Sequence, residues 1–395
     1  MAIDLLRARY ETPGCEAVLH FNNAGAALMP QPVLHAVIGH VQREALLGGY
    51  EAAEQAHDAV EYVYDAAAML LGCQREEIAF VENATRAWDM AFYAVPLGPG
   101  DRILTAMAEY ASNYLAFLHV ARKTGATIEV IPNDAHGQLS IEALRQAIDE
   151  RVKLIAITHV PTNSGLVNPA AAVGAVARQA GVLYLLDACQ SVGQMPINVD
   201  ALGCDMLSTT GRKYLRGPRG TGLLYVRRSV CEQLEPPFVD LHAAEWVARD
   251  HLVLRPDARR FENWETNYAG KIGLGVAINY ALSWGLDNIW ARITTLANML
   301  RQRLATLPGV TVHDPGAERC GIVSFTVDGH EADEIRQMLA RQHINVTVSR
   351  LTSTRLDMEA RGLTSVVRAS VHYYNSEAEV DRFCTTLATV SCMTS

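Results

Sequence analysis

Short apolar runs alternate with runs of helical spacing over the first two-thirds of the chain. "EIAFVE" (77–82) is followed by "NATRAWDMAFYAV" (83–95), and "DRILTAMA" (101–108) by "SNYLAFLHVARKTG" (112–125). "TIEVIPND" precedes "SIEALRQAI", and "KLIAITHV" precedes "NPAAAVGAVARQAG". "VLYLLDACQ" (182–190), "CDMLSTTG" (204–211) and "GTGLLYVRR" (220–228) read as three more strands. Strands of this length with no polar alternation are buried on both faces, and helices between them predict βαβ units and a parallel sheet. Upstream, "PQPVLHAVIGHVQREALL" and "HDAVEYVYDAAAMLLG" read as helices, the second closed by Gly72. From about residue 265 the pattern changes to two long helices, then short strands, and a last helix with a capping box at Ser376 and Glu379. The pattern predicts an α/β chain in three parts: an N-terminal arm (1–20), a large domain (21–265) and a smaller C-terminal α+β domain (266–395).

Composition narrows the partners. The net charge is −9, which disfavours nucleic acid and anionic membranes as main partners. No apolar run approaches the roughly 20 residues of a membrane span. The first residues lack the apolar core of a signal peptide, so a cytoplasmic location with reduced thiols is expected. The eight cysteines are scattered without a CxxC pair, and no metal is expected.

Ligands of an open parallel sheet collect at the carboxyl ends of its strands. The polar residues there are Asn83, Ala84 and Thr85; His159 to Gly165; Asp187 and Gln190; Thr210, Arg212 and Lys213. Each has an ordinary reading by itself. Asp187 is a turn or cap residue, Thr85 a helix start, Lys213 a surface lysine, His159 a satisfied core histidine. Together they offer a carboxylate, an amine and a helix N-terminus, a set that suits pyridoxal 5'-phosphate. Lys213 also has Arg212, Arg216 and Arg219 as sequence neighbours, and nearby cations favour the neutral, reactive amine.

The stretch "LDACQSVGQMPINVDALGCDMLSTTGRKYLRGPRGTGLLYV" closely resembles the lysine region of class V aminotransferase-like enzymes, a branch of the fold-type I pyridoxal phosphate enzymes. "FNNAGAALMP" resembles their entry segment and "VRASVHYYNSEAEVDRF" their carboxylate-binding segment. The resemblance implies a large domain with a mostly parallel seven-stranded sheet. It implies a homodimer with the site at the interface, where Thr266 or Trp264 would reach the partner's phosphate. Lys213 would be the Schiff-base lysine and proton shuttle, and Asp187 the partner of the pyridine nitrogen. Gln190 and Asn163 would lie near the phenolic oxygen, with Thr162 competing for the second place. Ala84, Thr85, Thr210 and Arg212 would hold the phosphate, and Tyr110 would stack on the ring. Arg368 would clamp the substrate carboxylate, with Asn23 and Ala24 lining the same place.

Two departures from the family pattern bear on the reaction. Arg212 stands where many relatives have histidine. The stretch "SRLTSTRLDMEARGLTSVVR" before the clamp arginine lacks the nucleophilic cysteine of desulfurases. Cys320 and Cys384 fall in strand-like and helical runs, and Cys189 reads as a small residue packed behind the ring. The favoured reading is a lyase that eliminates a sulfur or similar β-substituent from a cysteine-type amino acid without a catalytic cysteine, as hercynylcysteine sulfoxide lyases and selenocysteine lyase-like proteins do. The alternatives are an aminotransferase or an isopenicillin N-type epimerase, and a non-catalytic protein of the same fold. Residues 241–260 are expected to form part of the distal pocket.

Overall fold

The computed structural model describes residues 3–391. Its centre is a seven-stranded sheet in the order Ile78–Val81, Gly222–Val226, Met206–Thr210, Leu183–Asp187, Val152–Thr158, Arg102–Ala106, Thr127–Ile131. Gly222–Val226 runs antiparallel to both of its neighbours; the other six strands share one direction. The central strands are buried on both faces, as their unbroken apolar runs require. Helices cover both faces, and three of them end on a glycine in the left-handed conformation: Gly72, Gly125 and Gly181.

A second sheet, antiparallel and four-stranded, has the order Val310–Val312, Ile322–Val327, Ser365–Ser370, Thr347–Arg350. The last helix, Glu377–Ser391, belongs to this smaller unit. Its capping box is present: Ser376 N–H donates to Glu379 Oε2 (3.0 Å) and Glu379 N–H to Ser376 Oγ (3.2 Å). The N-terminal arm joins the same unit, with Leu19–His20 pairing in parallel with Ile344–Asn345.

The boundary expected at 265/266 needs correction. It assigns the helix Tyr268–Trp284 to the small domain, yet this helix lies along the helices Gln31–Leu47 and His57–Leu71 of the large one. Small residues permit that approach, since a Cβ on Gly273 would meet Val37 at 2.5 Å. No helix of the described residues is long and apolar enough to cross a membrane.

Candidate active site

Five carboxyl ends of the parallel strands converge on one cavity of about 460 Å³. Ile78–Val81 leads to Asn83, whose side chain caps the helix Ala84–Phe92 by accepting Arg86 N–H at 2.9 Å. The next strand passes so close that a Cβ on Gly222 would stand 2.7 Å from the Asn83 backbone, which fixes glycine there. Asn83, Ala84 and Thr85 line the cavity at this helix start. The strand Arg102–Ala106 leads to Tyr110, Val152–Thr158 to Val160 and Thr162, Leu183–Asp187 to Asp187, Cys189 and Gln190, and Met206–Thr210 to Arg212 and Lys213.

Asp187 is buried, and both its oxygens are held. Oδ2 accepts Asn113 Nδ2–H (2.9 Å), and Oδ1 accepts the Cys189 N–H (2.9 Å). Lys213 keeps some accessible surface toward the cavity but is otherwise enclosed, and burial lowers its amine below the ordinary lysine value. Cys189 and Asp187 pull the other way, while Arg212 and Arg368 reinforce the lowering. This corrects the expected cause. Of the three arginines close in sequence only Arg212 contributes, and the larger influence is desolvation. Arg216 turns away, donating to Leu28 O (2.8 Å), Tyr373 OH (2.6 Å) and Thr12 Oγ1 (2.5 Å), with its guanidinium 4.4 Å from the Tyr374 ring centre. Arg219 is exposed and acts on Arg212.

Arg368, on the small-domain strand Ser365–Ser370, does not itself line the cavity but stands behind its wall residue Thr162. One terminal nitrogen donates to Thr162 O (2.9 Å) and Thr162 Oγ1 (2.5 Å), the other to Asn22 Oδ1 (3.4 Å), and Nε has no partner. Burial pushes this guanidinium down to about 10. Among the described residues neither Arg368 nor Arg212 has a carboxylate partner, and Arg212 donates to the Gly25 carbonyl. Buried cations without counter-ions are costly, so both are ready for an anion. An unpaired amine, a held carboxylate, a helix start and two unpaired guanidinium groups fit pyridoxal phosphate with an amino-acid carboxylate.

Several expected residues are placed differently. Asn163 does not line the cavity: its Nδ2 donates to the buried Asp357 Oδ2 (2.7 Å), which draws the amide into the small domain. Thr162, the competing choice, lines the cavity instead. Asn23 and Ala24 also lie off the cavity wall. They fasten the entry segment to the Arg368 strand, Asn23 Nδ2–H to Ser370 O (2.7 Å) and Ala24 N–H to Ser370 Oγ (2.9 Å), while the neighbouring Asn22 meets Arg368. Gln190 Nε2 donates to Ala24 O (3.1 Å) and its Oε1 is unpartnered. Thr210 and Tyr110 line the cavity, Tyr110 at the start of the helix Ala111–Thr124. Trp264, Thr266 and residues 241–260 line no part of it within their own chain. The last of these include an exposed hairpin, Ala244–Ala248 with His251–Leu254.

Cys189 was expected behind the ring and stands on the cavity wall. Burial and the Asp187 carboxylate raise its thiol well above the ordinary value. Cys320 and Cys384 are buried elsewhere, and Cys392 lies outside the described residues. Two residues escaped the sequence reading. Glu109 and Asn113 contact or support Asp187 from below, and the signal was a carboxylate at a strand end with an amide four residues on, one helical turn away.

Residues 19–383 match the family described as "Aminotransferase class-V". A probable cysteine desulfurase of Xylella fastidiosa (strain Temecula1) is 32% identical over 383 residues, covering 94% of this chain and 91% of that protein. A cysteine desulfurase of Salmonella gallinarum is 31% identical, with 92% and 91% covered. Among solved structures, the apo cysteine desulfurase of Thermococcus onnurineus NA1 superposes with a TM-score of 0.91 at 29% identity, over 99% of both chains. A complex of the cystine C–S lyase C-DES with its product cysteine persulfide shares the fold, with a TM-score of 0.86 at 24% identity, over 95% of this chain and 99% of that one. With the match spanning nearly its whole length and the strand-end site in place, this chain belongs to the class-V aminotransferase family.

Proposed function

We propose that the protein is a pyridoxal phosphate-dependent lyase that removes a sulfur substituent from a cysteine-type amino acid without a cysteine nucleophile of its own. The names of its relatives, cysteine desulfurases and a cystine C–S lyase, support sulfur removal. The observation that carries the second half is the segment between Arg350 and Arg368. It contains no cysteine, and it folds into the short helix Arg355–Ala360. Buried Asp357 pins that helix, bound by Asn163 Nδ2 (2.7 Å) and Arg361 (3.0 Å). A segment so fastened offers neither a thiol nor the freedom to carry one.

Bound at the strand ends, pyridoxal phosphate would supply an electron sink that acidifies the substrate Cα–H. The residues take complementary parts. Ala84 and Thr85 offer a helix start to the phosphate, and Thr210 and Arg212 complete that cradle. Asp187, held by two N–H donors, would stand against the pyridine nitrogen and favour its protonated form. Tyr110 would cover the ring, and Arg368 would orient the substrate carboxylate, which would tie the small domain to catalysis. Lys213 Nζ, with its proton affinity lowered by burial, takes the Cα proton as a neutral base. The sulfur at Cβ then departs with its bonding pair, and only a good leaving group is required of the substrate.

Among the described residues, Lys213 and Arg212 are the only amine- or guanidinium-bearing side chains on the cavity wall, and no histidine is among them. That leaves no second base opposite Lys213 and counts against epimerisation. Incubating the loaded protein with cystine, cysteine sulfoxides and S-conjugates should release pyruvate with a thiol or sulfur acid. Amino transfer that depends on an added keto acid, with no pyruvate released, would replace this reading. Protein that binds no cofactor would return it to the non-catalytic alternative.

A further inference from the structure

Bridged to Asp187 through Asn113 is a second buried carboxylate that the proposed chemistry does not use. Glu109 follows the strand Arg102–Ala106 and is almost wholly removed from solvent. Five donors converge on it. Oε1 accepts Tyr110 N–H (3.0 Å), Asn113 Nδ2–H (2.8 Å) and Thr158 Oγ1–H (2.6 Å). Oε2 accepts Thr105 Oγ1–H (3.0 Å) and Thr158 N–H (3.0 Å). These five groups hold both oxygens in place, while burial pushes the Glu109 carboxyl up to about 7.

Asn113 joins this site to the next. Its amide nitrogen carries two hydrogens; one is spent on Glu109 Oε1 and the other on Asp187 Oδ2 (2.9 Å). Glu109 thereby decides which end of the Asn113 amide points at Asp187. Rotated by half a turn, the amide would present its oxygen to both carboxylates, and two repulsive contacts would replace two hydrogen bonds.

We infer that Glu109 and Asn113 are a positioning pair that holds Asp187 in the orientation needed to face the pyridine nitrogen. The inference rests on the proposed cofactor role of this site. The geometry explains why a second acid is buried here at all. Left to itself, an isolated buried carboxylate costs several kcal/mol, yet Glu109 touches no cation. Its burial makes sense as the fixed end of a carboxylate–amide–carboxylate chain, with the adjustable end at the cavity. Tyr110, which would cover the ring, starts its helix on the same carboxylate through its N–H, so ring and nitrogen partners share one anchor.

The test is a cycle of variants on the apoprotein titrated with pyridoxal phosphate, followed by turnover of the loaded forms. Wild-type protein that does not bind the cofactor removes the functional reading itself. If it binds, Asn113→Ala and Glu109→Gln should each weaken cofactor affinity about tenfold, the low end of the cost seen when outer partners of metal ligands are removed. Each should lower kcat while leaving the substrate KM within about twofold, because Arg368 is untouched. The double variant should be no worse than the weaker single one, because both act through Asp187. Glu109→Gln turns an amide toward the Thr158 N–H and can lose stability. Asn113→Ala, which leaves Glu109 intact, carries the test where that variant does not fold. Unchanged cofactor affinity with only a lower melting temperature, or effects that multiply in the double variant, would overturn the inference.

Discussion

Two lysines of the described residues have their amines lowered by burial, one buried (Lys271) and one left partly open (Lys213), and they have opposite surroundings. Lys271, on the helix Tyr268–Trp284, donates from Nζ to Tyr64 OH (2.7 Å). The Tyr64 hydroxyl donates in turn to Glu262 (2.8 Å), which also accepts Phe80 N–H (2.7 Å) and contacts His242 Nε2 (3.0 Å). Arg259 lies over the same tyrosine ring, 3.6 Å from its centre, and pairs with Glu61 (2.6 Å). Lys213 has the same depressed proton affinity, with burial the first cause in both. Among the described residues, however, Lys213 Nζ has no hydrogen-bond partner, and it faces the cavity. Depressed basicity is therefore not what marks the chemical lysine. An amine whose neighbours are all satisfied by one another belongs to the fold; an amine left open beside a held carboxylate is available to a ligand.

The largest expected effect breaks the comparison on the Lys213 side. Lys213→Ala should lower turnover by about 10³-fold or more, as loss of a positioned base does. The reducible cofactor linkage trapped by borohydride should vanish, and the melting temperature should stay close to wild type, because no protein partner is left unpaired. Retained turnover with a trapped adduct at the same position would show that Lys213 is not the reactive amine.

The Lys271 side breaks by a different route. Glu262→Ala strands Tyr64 OH, the Phe80 N–H and the Lys271 ammonium in a buried place, which should cost about 3–5 kcal/mol of stability. Thermal unfolding should show it as a fall of several degrees. A variant with wild-type stability would mean that water enters the cluster and satisfies the stranded groups.

How much of this difference could be read beforehand follows from where each partner sits in the chain. Asp187 and Thr210 end strands of one sheet, and Lys213 and Thr85 follow such ends within a few residues; a run of apolar residues followed by polar ones marks such an end in sequence. Arg368 was legible through its resemblance and its strand. The partners that come from afar were not. Asn163 was chosen over Thr162 because nothing local reports that Asp357, 194 positions later, captures its amide. The outward turn of Arg216 depends on Thr12 and Tyr373, from opposite ends of the chain. The closed network of Lys271 needs Tyr64 and Glu262, neither of which has a periodic signature. The boundary at 265/266 failed for a similar reason: composition changes there, but the packing partner of the next helix lies some 230 residues upstream, a relation that spacing cannot express.

The substrate wall gives a smaller effect. Arg368→Lys keeps a cation but loses the planar fork that meets Thr162 and would meet a substrate carboxylate at the same time. The substrate KM should rise about tenfold, or about 1.4 kcal/mol, with cofactor affinity near wild type. Cofactor loss with an unchanged KM would reassign Arg368 to the phosphate.

The smallest effect is expected at Cys189, and it sharpens the comparison most, because among the described residues it is the one thiol on the cavity wall. Position alone would make it a nucleophile, as depressed basicity alone would make Lys271 one. The electrostatics say otherwise. Burial and the adjacent Asp187 carboxylate both disfavour the thiolate, so the folded thiol titrates well above the ordinary value, and Lys213 and Arg212 offset this only in part. Because the shift is upward, the thiol stays protonated through neutral pH, and reactivity should appear only as the pH rises above about 9, the usual thiol range. Cys189→Ala should therefore keep turnover within about twofold, since removing one small side chain leaves Asp187 its two N–H donors. Alkylation of native protein at pH 7 should spare Cys189, whereas the unfolded protein labels at all its thiols. A persulfide trapped on Cys189 during turnover, or activity abolished by Cys189→Ala while cofactor binding survives, would make this thiol the sulfur acceptor and replace direct elimination by transfer to the enzyme.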